Sequence, residues 1–274
     1  AYAPENTLAS FALAREMNAD WFELDCTLTQ DGHVIVIHDD KLDRTTNGKG
    51  HVSEFTLEAL KRLDAGTWKD PKFAGERLPL LSEALDLAQE RRIGVYIEIK
   101  NAADDSRLMK DIMVMAGDKK RMSPKMKRKM FEMIEASGTR NLELTCKVVA
   151  LVRERRMGRQ VVIQSFSPIA CAIAQHEAPR FRVEMLALKD KDNPERWPGY
   201  LKWRNWLDVR GFNSNLDSLD EAGVKQCHAE GRMVAIWTVD DEDVMRQIAG
   251  WGVDRIITNK PDLCLRTLKA IGKH

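Results

Sequence analysis

The sequence predicts an α/β protein built as a (β/α)8 TIM barrel. Three observations carry this expectation. Short β-rich runs alternate along the chain with longer patterns that suit amphipathic helices, the order of a parallel sheet with crossover helices. The length, 274 residues, approaches the size at which one core stops growing but is usual for a barrel, so residues 1–274 are expected to form one domain. Glu98 also lies near the C-terminal end of its β-branched run, and barrel sites gather at the C-terminal ends of strands.

The expected strands are Trp21–Thr27, Val34–His38, Gly94–Lys100, Gln160–Phe166, Arg182–Leu188, Val209–Asn213, Met233–Val239 and Arg255–Thr258. Between them, Thr7–Met17, Ser82–Arg92, Asp240–Gly250 and Pro261–Ile271 suit helices, with Ser82 as an N-cap. One connection differs. Glu23 to His38 contains a single turn signal, Asp31-Gly32, between apolar alternations, which predicts a β-hairpin. A two-residue loop there sets Asp25 opposite His38, on one face of the sheet. Counting one hairpin arm as an extension leaves seven barrel strands. The chain opens on a loop leading into a helix, so barrel strand 1 is expected to be missing from it.

Composition excludes several classes. Lys plus Arg is 43 and Asp plus Glu is 42, so global charge gives no drive toward nucleic acid. The five cysteines, Cys26, Cys146, Cys171, Cys227 and Cys264, share no CxxC spacing, which argues against a disulfide framework and a thiolate zinc site. That usage suits a reducing, cytoplasmic setting better than a secreted one. No apolar run approaches the roughly 20 residues needed to span a bilayer.

Three carboxylates and a histidine stand out. Glu23 and Asp25 are two apart on one strand and point to one side. Glu98 lies near the end of another, with Lys100 on its side. Charges in β-branched runs are costly unless paired or bound to metal. Converging carboxylates without thiolates suit a hard divalent cation, Mg²⁺ or Ca²⁺. Simple ion pairing with Lys100 or nearby arginines is the plainer alternative for any one acid. His38 closes its strand and can move protons near neutral pH. His33, His51, His176 and His228 lack partner spacing and read as surface or structural.

In order and approximate spacing, Ala3-Pro-Glu-Asn-Thr7, Glu23-Leu-Asp25, His38-Asp39, Leu42-Asp-Arg-Thr-Thr46, Glu98-Ile-Lys100, Gln164-Ser-Phe166, Trp237-Thr-Val239 and Gly252-Val-Asp-Arg-Ile-Ile-Thr-Asn-Lys-Pro261 resemble the glycerophosphodiester phosphodiesterase family. The resemblance covers nearly the whole chain. It implies a barrel of the phospholipase C-like phosphodiesterase type that hydrolyses a glycerophosphodiester to glycerol phosphate and an alcohol. It implies Glu23, Asp25 and Glu98 as metal ligands, His38 as one of two catalytic histidines, Lys100 near a phosphate oxygen and Trp237 at the glycerol end. Glu5 and Asn6 match a signature near the site, with Glu5 on the substrate side. The family opens with a His-Arg-Gly strand, so its first histidine and its phosphate-binding arginine are expected to be absent from this chain. Lysophospholipase D or sphingomyelinase D-type activity on the same barrel, and a non-catalytic metal-binding relative, are the alternatives.

The basic run Lys119–Met130 lies in a long insertion, 101–160. A solvated helix face is its plainer reading; weak contact with an anionic membrane is the sharper one. Aromatics in Asp190–Trp206 and in Gly66–Gly75 suit loop packing, a substrate loop or a small cap. The oligomeric state is not legible.

Overall fold

The computed structural model describes residues 1–273. Its strands are β1 (Trp21–Leu28), β2 (Val34–Val36), β3 (Gly94–Ile99), β4 (Val161–Ser165), β5 (Arg182–Ala187), β6 (Gly211–Asn215), β7 (Ala235–Trp237) and β8 (Arg255–Ile256). The helices are α1 (Leu8–Glu16), α2 (Leu57–Lys61), α3 (Leu81–Arg91), α4 (Ser106–Ala116), α5 (Pro124–Ser137), α6 (Arg140–Glu154), α7 (Pro168–Glu177), α8 (Arg196–Leu207), α9 (Glu221–Ala229), α10 (Glu242–Trp251) and α11 (Pro261–Ala270).

All eight expected strands form, joined in one sheet of order β2-β1-β3-β4-β5-β6-β7-β8. Every pairing is parallel except β1 with β2. Side chains on strands that are not neighbours touch: Glu23 on β1 meets Gln164 on β4, and Glu184 on β5 meets Arg255 on β8. The sheet therefore curls around these polar residues. Its other face carries Leu24, Cys26, Val95, Ile97 and Ile99, which pack with the helices in the main core. Burial on both faces is why these strands read as near-continuous apolar runs. A smaller core of Ile35, Ile37, Leu42, Val52, Leu60, Ala65 and Leu78 lies under the loops that follow β2.

Local chemistry sets the helix starts. Thr7 caps α1 in a capping box with Ser10, Ser123 precedes Pro124 at α5, Ser167 precedes Pro168 at α7, and Asp241 caps α10. Ser82 is not the cap of α3. The cap position is Leu80, and Glu83 accepts its backbone N–H instead. The insertion between β3 and β4 holds α4, α5 and α6 where one crossover helix would suffice. In Asp190–Trp206, Trp203 and Trp206 are buried core residues of α8.

The hairpin register differs from expectation. Cys26 faces Val36, Thr27 faces Ile35 and Leu28 faces Val34, and Ile37 donates to the Asp25 carbonyl at 3.0 Å. Asp25 is thus opposite Ile37, not His38. The loop has three residues, Gln30–Gly32, closed by Thr29 N–H to the His33 carbonyl at 2.9 Å. Gly32 takes φ +77°, the left-handed residue that a three-residue hairpin needs. The extra loop residue is held from outside the hairpin. Gln30 donates to the Phe55 carbonyl, and Asp31 accepts from Thr29 Oγ1 and Leu57 N–H.

The first residues run across the C-terminal ends of the strands. The Ala1 amino group donates to the Asn259 carbonyl just beyond β8, and Asn6 reaches Asp25 on β1.

Candidate active site

Parallel pairing places Asp25 directly beside Glu98, and Glu23 beside Tyr96. With Glu23 two residues before Asp25 on the same face, the three carboxylates converge, each offering an oxygen within 4.8 Å of the others. Asp25 and Glu98 are buried and Glu23 is half-buried. Lys100 enters from the end of β3, its Nζ 3.0 Å from Glu98 and 3.5 Å from Asp25. Asn6 locks Asp25 twice, donating from Nδ2 to Oδ2 at 2.9 Å and accepting the Asp25 N–H on Oδ1 at 3.1 Å.

Burial, then the neighbouring charge of Asp25, holds the Glu98 carboxyl above its ordinary range. Burial raises Glu23 well above it, helped by Asp25 and Glu98. Burial works against the Lys100 ammonium, but Glu98 and Asp25 outweigh it and its pKa is raised. Three carboxylates face one ammonium, so with all three ionised the cluster would carry two uncompensated negative charges, the charge that a divalent cation would match. An all-oxygen donor set fits a hard cation. Lys100 explains part of the acidic cluster as ion pairing, but not all of it.

His38 does not meet Asp25. Its Nδ1 lies 2.6 Å from Asp39 Oδ1. Arg44 fixes that carboxylate, donating from Nε at 2.7 Å and Nη2 at 2.9 Å, and also clasps Glu5 at 2.8 and 2.7 Å. Hydrogen bonds from Arg44, then from His38, hold Asp39 far below the ordinary carboxylate range. An ionised carboxylate only accepts, so Nδ1 carries the proton and Nε2 is left free. Both carboxylate oxygens of Glu5 are thus held by Arg44. A cleft of about 180 Å³ opens beside Glu98, lined by Asp40, Lys100, Asn101, Ser165 and Phe166. Trp237 stands edge-on to Phe166 with ring centroids 5.7 Å apart, and its indole Nε1 is buried with no hydrogen-bond partner among the described residues. His33 lies near Asp31, His176 stacks on Phe131, His228 pairs with Asp254, and His51 bridges to Lys41.

Sequence reasoning placed Asn6 near the site without a role, and it missed the partners Asp39, Arg44 and Gln164. All four lie in the segments that carried the family resemblance, which was the signal available for them.

The fold and this cluster define a class: an α/β barrel with a carboxylate, lysine and histidine site at the C-terminal ends of its strands. A family model described as "Glycerophosphoryl diester phosphodiesterase family" matches residues 1–263, and the chain belongs to that family of phosphoric diester hydrolases. A glycerophosphodiester phosphodiesterase of Caldanaerobacter subterraneus subsp. tengcongensis is 33% identical over 98% of this chain and 94% of its own. One of Bacillus subtilis is 31% identical over 96% and 81%. Among solved structures, the glycerophosphodiester phosphodiesterase of Agrobacterium tumefaciens superposes with a TM-score of 0.69 at 29% identity, covering 97% of this chain and 94% of that one. An Oleispira antarctica phosphodiesterase in complex with the product sn-glycerol-3-phosphate gives 0.75 at 24% identity, over 97% and 92%, a likeness of fold.

Proposed function

We propose that this chain hydrolyses small glycerophosphodiesters to glycerol phosphate and an alcohol in a reaction that depends on a divalent cation, Mg²⁺ or Ca²⁺. The observation that carries this is the convergence of the Glu23, Asp25 and Glu98 carboxylates, which outnumber the single ammonium of Lys100 beside them. Glu23, Asp25 and Glu98 would hold the cation. When bound, it would polarise a phosphate oxygen and offset the charge that builds up in the transition state.

The remaining chemistry falls to the chain. Lys100 brings a point positive charge to a phosphate oxygen. His38, oriented through Nδ1 by Asp39 and Arg44, uses Nε2 to take a proton from the nucleophile or return one to the leaving oxygen. Trp237 offers its unpartnered indole N–H to a hydroxyl of the glycerol moiety, with Phe166 as the adjoining wall.

A specific observation also bears on the substrate and on a membrane contact. The exposed cations Lys119, Lys120, Arg121, Lys125, Arg128 and Lys129 belong to the turn before α5 and its first turns. Trp206 donates to the Lys119 carbonyl, and Lys127 to the Leu207 carbonyl, which ties this run to the turn entering β6. That is the N-terminal end of the strands, opposite the site. Weak contact of 119–130 with an anionic membrane would point the cleft toward solution, which favours a soluble diester over a bilayer lipid.

The test is release of choline from glycerophosphocholine, leaving sn-glycerol-3-phosphate, and from lysophosphatidylcholine, leaving lysophosphatidic acid, in chelator and in Mg²⁺ or Ca²⁺. Cation-dependent release from the former alone is expected. Equal turnover in chelator would refute the cation's role, and preference for the lipid would favour the lysophospholipase D reading. Sedimentation with phosphatidylserine vesicles tests the contact, which fails if no binding occurs at low salt.

A further inference from the structure

A row of buried polar side chains crosses the barrel interior below the carboxylate trio. Gln164, Glu184 and Asn213 are essentially without solvent exposure. Burying such groups is costly unless each is satisfied, and here they satisfy one another in one direction. Arg255 Nη1 donates to Glu184 Oε1 at 2.9 Å, and the Tyr96 hydroxyl lies 3.3 Å from Glu184 Oε2. Burial, then the Glu184 charge, pushes the Tyr96 hydroxyl far above its ordinary range, so it remains a donor. Gly211 makes the space: a Cβ there would lie 2.5 Å from the Glu184 carboxyl carbon.

The Glu184 carboxylate, in its ion pair with Arg255, offers only acceptors, so it turns the Asn213 amide to present Nδ2, at 2.8 Å. Asn213 Oδ1 is meanwhile taken by the Ala235 N–H at 3.3 Å. The same Nδ2 donates to Gln164 Oε1 at 3.0 Å. With its oxygen so occupied, Gln164 has only Nε2 left to offer, and that atom donates to Glu23 Oε1 at 3.2 Å. The orientation of each amide is therefore dictated by the one before it, starting from an ion pair on β5 and β8 and ending on one oxygen of Glu23.

We infer that Gln164 and Asn213 are positioning residues for Glu23: the directed chain from the Arg255–Glu184 pair holds one Glu23 oxygen and leaves the other aimed at the cation. This rests on the proposal that the trio binds a divalent cation. Groups that orient a metal-binding carboxylate typically change affinity by roughly 10- to 100-fold when removed.

The experiment is isothermal titration of the purified chain with Mg²⁺ and with Ca²⁺, for wild type, Gln164→Met, Asn213→Ala and the double variant, with circular dichroism to confirm folding. Each single variant is expected to weaken binding at least 10-fold. Because Asn213 acts through Gln164, Asn213→Ala should cause no further loss of cation affinity in the Gln164→Met background, a complete masking that two independent losses would not produce. Additive losses, or single variants within two-fold of wild type, would overturn the inference while leaving the cation site intact. No binding by wild type would overturn both. If Asn213→Ala fails to fold, Gln164→Met alone decides, by the same two-fold criterion.

Discussion

Lys100→Met removes the ammonium that separates Asp25 from Glu98. The Lys100 side chain is 20% exposed, and its carboxylate partners are 6% and 11% exposed, so solvent screens these pairs little. At an effective dielectric of about 20, charges at such separations interact by roughly 5 kcal/mol each. Much of that gross attraction offsets desolvation, and proton uptake by the carboxylates relieves more. Breaking a buried pair by deleting one partner typically costs about 3–5 kcal/mol. For a chain of this size that corresponds to a fall in Tm of about 10 °C. In chelator, the variant should show that loss. Mg²⁺ or Ca²⁺ should restore most of it, because a cation among Glu23, Asp25 and Glu98 replaces the missing positive charge. The assay is thermal unfolding followed by circular dichroism, in chelator and across a cation titration. A variant as stable as wild type in chelator, or one that gains nothing from the cation, would refute the view that Lys100 is the internal counter-ion of a cation site.

The same cluster predicts a pH dependence. Glu23 and Glu98 titrate above their ordinary range in the folded chain, so the folded state retains protons that the unfolded chain has released. In chelator, stability should be full below the ordinary carboxylate range and fall as pH rises through the raised values, with saturating cation flattening the slope; urea unfolding at several pH values checks this. Glu98→Gln should make the cation-free chain less sensitive to pH while weakening cation binding, measured by the same unfolding and by titration calorimetry. Trp237→Phe removes an indole N–H that has no partner in the free chain, so KM should rise roughly three- to ten-fold, a change that steady-state kinetics would show. Gly32→Ala forces an alanine to φ +77° beside Lys147 Nζ and Glu143 Oε1, and should cost about 1 kcal/mol in urea unfolding.

By itself, the sequence determined the order of the eight strands and the positions of α1, α3, α10 and α11, because apolar periodicity acts within a few residues. It also determined the acids: Glu23 and Asp25 share a face through strand geometry alone, and Glu98 with Lys100 does the same one strand away. What it misjudged was a matter of one residue. An Asp-Gly pair favours a two-residue turn, but Phe55 and Leu57, more than 20 positions later, hold the loop at three residues. That shift takes Asp25 off His38 and hands the imidazole to Asp39, since a one-residue slip exchanges the faces of a strand. Only the tertiary structure brought Arg44 onto both Glu5 and Asp39, and Gln164 onto Glu23 across 141 positions of chain. Pattern reading sees neighbours along the chain or across a turn. The curl of the sheet decides which side chains from distant strands meet inside it, and it is there that Glu23 acquired Gln164 as its partner.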